Sequence, residues 1–167
     1  MVKLNDKQII EFWHRSYRTV DGLWFVKIEE RYGFDTALDI DNEVWTVFSK
    51  IQARMIKSLG ELKAGLDGLL EAIETRLDIE GYKFEVKRAV DGTGFDVIIS
   101  ECPWHKIMIA SGREHLSGKV GTLICNSEYS IWASEFGDDI RFEMNEQICE
   151  GCDSCILRFI SIPSHKT

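Results

Sequence analysis

The sequence predicts an α+β fold, in which helices come first and a helix-covered antiparallel sheet follows. Two observations support this class. Apolar residues recur at three- and four-residue spacing up to Gly81, which is typical of amphipathic helices. Beyond Gly81, apolar and polar residues alternate in several short segments, which is typical of strands with one buried face.

The first predicted helix carries Ile9, Trp13, Val20 and Trp24 at helical spacing and ends at Gly33. Its aromatic residues form a stripe that continues into the next helix. Such a stripe is typical of a core, and the alternative is an apolar ligand pocket between the helices and the sheet. The stripe consists of Trp13, Tyr17, Trp24, Phe25, Trp45 and Phe48.

Two more helices are predicted before the sheet. The second begins near Asp39 or Asp41, whose carboxylates can cap free backbone N–H groups, and ends before Gly60. The third carries the apolar residues of 62–77 and ends at Gly81.

Four strands and two helices are predicted after Gly81. Segments 82–86 and 95–99 form a hairpin, then a short helix begins at Pro103 and a longer one ends at Gly137. Two further strands lie near 140–144 and 156–162. The order is therefore strand-strand-helix-helix-strand-strand. We expect one compact domain, in which a helical part, residues 1–81, packs on an α+β part, residues 82–167.

Charge and hydropathy exclude several classes of protein. The 167 residues include 28 acidic and 20 basic side chains, for a net charge of −8. This balance argues against nucleic acid or an anionic membrane as the main partner. No apolar run approaches the roughly 20 residues of a membrane span, and the first residues lack the apolar core of a signal peptide. We expect a cytoplasmic protein.

Five cysteines, an odd number, lie between positions 102 and 155. Three of them, Cys149, Cys152 and Cys155, stand in one seven-residue segment, while Cys102 follows the second strand and Cys125 lies in the long helix. Without an oxidising compartment, this favours thiols or metal ligands over a disulfide framework. In an antiparallel sheet, these segments are expected to meet at one edge.

Three interpretations of the cysteines remain open. Zinc needs about four ligands, which Cys125, Cys149 and Cys155 supply together with Cys102 or a carboxylate. An iron–sulfur cluster would use Cys149, Cys152, Cys155 and Cys102. Alternatively, the thiols are reduced and buried in the core, or form an adventitious disulfide.

Cys125 and Glu128 stand three residues apart on the long helix and share a face with Trp132. A thiol and a carboxylate could therefore line one pocket, which makes these two residues candidate catalytic groups. The alternative is a solvated Glu128 and a Cys125 that packs in the core.

The segment from Cys125 to Gly137, with Glu146–Cys149 and 151–159, resembles the four-vinyl-reductase domain, a small-molecule-binding module. In phenol-sensing regulators that carry this domain, a cysteine, a Glu-x-x-Cys and a further cysteine hold a structural zinc. The resemblance places these ligands at Cys125, Glu146, Cys149 and Cys155. The last two are closer together here than in that pattern, so Cys102 or Cys152 could replace Glu146. The resemblance also implies an α+β ligand-binding fold, a homodimer and a small apolar or heterocyclic ligand.

The same half of the chain is similar to the L-2-amino-thiazoline-4-carboxylic acid hydrolase-like proteins. Their pattern falls on Cys102, on Cys125 with Glu128, and on Gly151 with Cys155. This resemblance implies an alternative function, a metal- or cysteine-dependent hydrolase of a thiazoline-like substrate. The first expectation is a binding domain in which a zinc site braces an apolar pocket. An iron–sulfur protein is the third possibility.

Overall fold

The computed structural model describes residues 1–162, and within that range it has five α-helices and one four-stranded sheet. The predicted α+β class and the predicted order of elements are confirmed. The helices are α1 (Asp6–Tyr32), α2 (Phe34–Leu59), α3 (Leu66–Glu80), α4 (Pro103–Ala110) and α5 (Glu114–Phe136). The strands are β1 (Lys83–Arg88), β2 (Gly94–Glu101), β3 (Ile140–Glu146) and β4 (Cys155–Ser161), with a 3-10 turn at Ile148–Glu150. None of these helices has the length and apolar character needed to cross a membrane.

The chain divides into two compact units, Met1–Glu43 and the remainder from Val44 on. This boundary falls inside α2 and differs from the predicted division at Gly81, which stays a prediction. In the first unit, α1 begins at Asn5, whose side chain and that of Gln8 form a capping box. It ends at Gly33, where φ is 85°, in the left-handed region that favours glycine.

Helix α1 buries none of its residues. Trp13 is 64% exposed and Trp24 is 67% exposed, so the expectation that they pack in a core is wrong. The periodicity of α1 predicts the helix that is found, but a helical stripe of apolar residues does not show which surface covers it. Helix α2 begins at Phe34, directly after Gly33, so Asp39 and Asp41 lie inside the helix rather than at its start.

In the second unit, the strand order is β1-β2-β4-β3 and every neighbouring pair is antiparallel. One face of the sheet is apolar, because alternate residues of each strand point the same way. Helices α3 and α5 pack with this face in one core that includes Leu69, Ile73, Val97, Trp132 and Phe159. The other face carries charged pairs such as Asp96 with Arg158.

Helix α3 begins at Leu66, four residues later than the predicted apolar run, because Gly65 has a φ of 101°. Position 68 accommodates only glycine, because a Cβ there would collide with the Lys63 carbonyl. Helix α2 is joined to α5 by Arg54 and Lys57, which bind the side chain and the backbone carbonyl of Glu135. These contacts hold the end of α2 against α5.

Candidate functional site

Four of the five cysteines meet at one end of the sheet. Cys155 opens β4 opposite Ile99, and Cys102 directly follows β2. Helix α5 supplies Cys125, and the 3-10 turn supplies Cys149. Burial raises the pKa of Cys125 well above the ordinary value, and the charges of Glu128 and the other three thiols raise it further. The thiols are therefore close enough to interact electrostatically.

The turn that carries Cys149 lies against a glycine face of α5. A Cβ at Gly121 would stand 2.6 Å from Cys149 Sγ, and one at Gly118 would stand 3.1 Å from the Cys149 carbonyl oxygen. These two glycines, three residues apart on a helix, allow the turn to approach the helix axis. Their spacing is a signal that sequence reasoning missed.

Two hydrogen bonds hold the thiols of this turn. The Cys149 thiol donates to Gln147 Oε1 at 3.3 Å, and the Ile148 backbone N–H donates to Cys155 Sγ at 3.3 Å. Gln147 is buried, whereas Glu146, the residue that the resemblance implies as a ligand, is exposed at the end of β3. The polar side chain beside the thiols is thus Gln147, and Cys152 is exposed.

Within residues 1–162, no group of three or more His, Cys, Asp or Glu side chains stands in a metal-binding arrangement. The chemistry of the donors nevertheless suits zinc, which binds thiolates. Burial raises the pKa of Cys149 and that of Cys155 to about 11, so both thiols are protonated at neutral pH in the arrangement seen here. An ion would have to displace these protons and draw the thiolates together.

A second polar group is buried between α2, α3 and α5. Arg76 of α3 is 2% exposed, and its Nη2 lies 2.6 Å from Oε1 of Glu128, which is 4% exposed. The contact is a close ion pair whose alignment is not that of a hydrogen bond. On the other side, Arg76 Nε donates to Glu80 Oε1 at 3.1 Å. One guanidinium is therefore shared by two carboxylates.

Burial dominates the electrostatics of this group, which we call the Arg76 cluster: Arg76, Glu80, Glu128 and their neighbours Ser49 and Gln52. Burial raises the pKa of Glu128 to about 7, although Arg76 opposes the shift. Burial lowers the pKa of Arg76, but the negative charges of Glu128 and Glu80 raise it by more. The pKa of Arg76 therefore lies well above the ordinary value. Glu128 is thus neither solvated nor fully ionised at neutral pH.

Aromatic rings enclose the guanidinium. Its carbon lies 5.3 Å from the ring centre of Trp132 and 5.6 Å from that of Tyr129. Both distances are within the range of cation–π contacts. The charge of Glu128 raises the pKa of Cys125 and that of Cys102, so the thiols lie close enough to the Arg76 cluster to interact with it electrostatically.

Sequence reasoning selected Glu128 but missed its partner. Arg76 and Glu80 continue the apolar stripe of α3 through Leu69 and Ile73, at the spacing i, i+4, i+7 and i+11. Two opposite charges on the buried stripe of a helix are a signal for a buried ion pair. Cys125 is partly buried and its thiol has a raised pKa, which makes it a poor nucleophile in this arrangement.

Fold and site together define an α+β domain with a buried charged cluster. A solved structure with this fold is the phenol-responsive sensory domain of the transcription activator PoxR with phenol. The TM-score is 0.50 and the identity is 11%, over 89% of this chain and 75% of that one. At this identity the likeness shows the fold alone.

Residues 2–154 match the family of unknown function DUF6125, and the chain belongs to this family. No curated protein matches the sequence. The resemblance to the four-vinyl-reductase domain and to the hydrolase-like proteins stays a prediction.

Proposed function

We propose that this chain is a small-molecule-binding domain, and that the Arg76 cluster recognises the polar group of the ligand. The observation that carries the proposal is a set of buried polar atoms that lack hydrogen-bond partners among residues 1–162, Arg76 Nη1 and Trp132 Nε1 among them. Leaving such a donor unpaired costs about 1–3 kcal/mol, more when it is charged. A ligand that satisfies these donors recovers that cost on binding.

Two further points support this assignment. The atoms concerned belong to helices that cover the apolar face of the sheet, so a ligand there would have apolar walls and a few polar contacts, as small-molecule sites usually do. The phenol-responsive sensory domain of PoxR, which has the same fold, was solved with phenol.

The proposal is tested by nuclear magnetic resonance of the tryptophan indole N–H groups. Phenol, benzamide, benzoate and benzylamine are titrated singly, and the Trp132 resonance is assigned with Trp132→Phe. We expect at least one probe to shift the Trp132 resonance in a saturable way while the exposed Trp13 resonance stays unchanged. If no probe shifts the Trp132 resonance up to about 10 mM, where even weak binding saturates, the proposed function is wrong.

We also propose that Cys125, Cys149 and Cys155 bind one zinc ion with a fourth ligand from Cys102, Cys152 or Glu146. Support comes from the convergence of the thiols and from the Ile148 N–H···S bond, a contact that stabilises a thiolate. Bound zinc would hold the 3-10 turn against α5 and so contribute folding free energy.

The zinc site has a matched test. In protein purified without oxygen, elemental analysis should give about one zinc per chain, and Cys155→Ser should lower both the zinc content and the melting temperature. Cys152→Ser tests the exposed thiol itself: the zinc content falls if Cys152 is the fourth ligand and stays unchanged if it is not. A zinc content near zero in the parent protein, or an unchanged one in Cys155→Ser, would contradict the ligand set.

A homodimer is the third part of the proposal. Helix α1 leaves large apolar side chains in solvent, far more than a monomer usually exposes on one helix. These residues are Ile9, Ile10, Phe12, Trp13, Val20, Leu23 and Trp24. A second copy of the chain would cover them. Analytical ultracentrifugation should then show a dimer that the double variant Trp13→Glu, Trp24→Glu dissociates and that Arg15→Glu leaves intact.

The hydrolase and iron–sulfur alternatives stay predictions without an observation that favours them. A hydrolase would need Cys125 as thiolate or a metal with an open position, and an iron–sulfur cluster would give visible charge-transfer absorption.

A further inference from the structure

Some hydrogen-bond donors of the Arg76 cluster have acceptors, and others have none. Arg76 uses Nε and Nη2 for Glu80, and Nη2 also contacts Glu128. Its Nη1 meets no acceptor anywhere in the described chain, nor does the indole Nε1 of Trp132, which is fully buried. A ligand at this place would therefore have to offer an acceptor oxygen.

Two acceptors are also left over, namely Glu128 Oε1, which lies beside Ser49, and Gln52 Oε1. Gln52 of α2 gives its amide N–H to Glu80 Oε1 at 3.4 Å, the same oxygen that Arg76 Nε binds. The other end of that amide, Gln52 Oε1, is buried and finds no donor among residues 1–162. The Arg76 guanidinium and the Gln52 amide thus donate to the same carboxylate oxygen of Glu80. Arg76 Nη1 and Gln52 Oε1 are left without hydrogen-bond partners. A ligand would have to offer a donor beside its acceptor.

The charges of the cluster limit the ligand further. One guanidinium already faces two carboxylates, Glu80 and Glu128, within a buried space. A third carboxylate would add a like charge at low dielectric, which is strongly unfavourable. A cationic ligand would leave Arg76 Nη1 and Trp132 Nε1 unpaired and add a second positive charge beside the first.

Resting on the function proposed above, we infer that the ligand is a small neutral molecule with a carbonyl oxygen next to an N–H group, as in an amide, lactam or urea. The carbonyl oxygen has two lone pairs and accepts from both Arg76 Nη1 and Trp132 Nε1. The N–H donates to Gln52 Oε1. Such a group pairs with the donors of Arg76 and Trp132 and with the acceptor of Gln52, and it leaves the net charge of the cluster unchanged. Glu128 Oε1 keeps its neighbours Arg76 and Ser49.

Benzamide and benzoate make a matched pair for the test, because they have the same shape and differ in charge and in the N–H donor. At pH 7, with the Trp132 indole resonance as the signal, we expect benzamide to bind at least about tenfold more tightly than benzoate. Phenol and benzylamine should also bind more weakly than benzamide.

Two variants locate the contacts. Trp132→Phe keeps an aromatic ring and removes the N–H donor, so benzamide binding measured by calorimetry should weaken about tenfold. Gln52→Leu should weaken benzamide more than phenol, because it removes the acceptor for the amide N–H. Trp13→Phe, an exposed residue of the other unit, is the control and should leave both affinities unchanged.

The outcomes separate the two claims. If benzoate, phenol or benzylamine binds as tightly as benzamide, or if Gln52→Leu weakens benzamide no more than phenol, the inference is wrong while the binding function stands. If none of the four probes binds, the proposed function fails and the inference fails with it.

Discussion

The thiols and the Arg76 cluster share helix α5, but they are held in different ways. The thiols are joined by hydrogen bonds to a backbone N–H and to Gln147, and their positions depend on a close approach of a turn to Gly121. The Arg76 cluster is held by charge, with one guanidinium between two carboxylates. The thiol region therefore depends on shape, and the Arg76 cluster depends on electrostatic balance. Substitutions can probe each property separately.

The largest effect is expected for Arg76→Met. This change keeps most of the side-chain volume and leaves Glu80 and Glu128 buried without their cation, which should cost about 3–5 kcal/mol in the free energy of unfolding. Urea denaturation at pH 7 measures it. Arg54→Met is the matched control, because Arg54 is exposed and its pair with Glu135 is screened by solvent, so its loss should be much smaller than that of Arg76→Met. Equal losses in the two variants would show that the buried pair is not held by charge.

The next effect is a pH dependence due to Glu128. Its folded pKa of about 7 lies above the ordinary 4.5, so the folded state binds more protons than the unfolded state between these values. The stability contributed by the protonated carboxyl is present at low pH and is lost as the pH rises towards 7. The loss amounts to at most roughly 3 kcal/mol.

Glu128→Gln should remove this slope. The difference in free energy of unfolding, parent minus variant, should therefore fall as the pH rises from 5 to 8. The other groups that face Glu128, namely Arg76, Glu80 and Ser49, are the same in both proteins. Urea denaturation at each pH supplies the two curves. Parallel curves would mean that Glu128 titrates as an ordinary exposed glutamate.

A smaller effect is expected for Gly121→Ala in the thiol region. The added Cβ would stand 2.6 Å from Cys149 Sγ, so the turn must move away from α5, at a cost of about 1–3 kcal/mol. Gly22→Ala is the control, since a Cβ there meets no atom of residues 1–162 within 4 Å and alanine favours a helix. It should leave stability unchanged or raise it by up to about 1 kcal/mol. A loss in Gly22→Ala as large as in Gly121→Ala would contradict the steric explanation.

Much of the fold could be predicted because the periodicities are strong and turn residues mark the boundaries. Gly33, Gly81 and Gly137 each follow the end of a helix as expected. The exposure of Trp13 and Trp24 could not be predicted, since an amphipathic pattern looks the same whether its apolar face is covered by this chain or by another.

The candidate site was predicted in part. Cysteine spacing drew attention to the segment from Cys149 to Cys155, and the helix face drew attention to Glu128. The sequence places Arg76 and Glu80 on the stripe of α3, but it does not show that Glu128 of another helix lies beside Arg76. Pairings between distant elements are set by tertiary packing, which a sequence pattern does not contain.

The strand order has a consequence for association. Strands β2 and β4 lie inside the sheet, while β1 and β3 form its two edges. Both edge strands carry a charged residue at every second position. These residues are Lys83, Glu85 and Lys87 on β1, and Arg141 and Glu143 on β3. Charged edge strands resist the backbone pairing by which sheets of different molecules join and aggregate. The sheet therefore resists the addition of strands from other molecules. The exposed apolar side chains of α1 can associate without fibril formation through the strands.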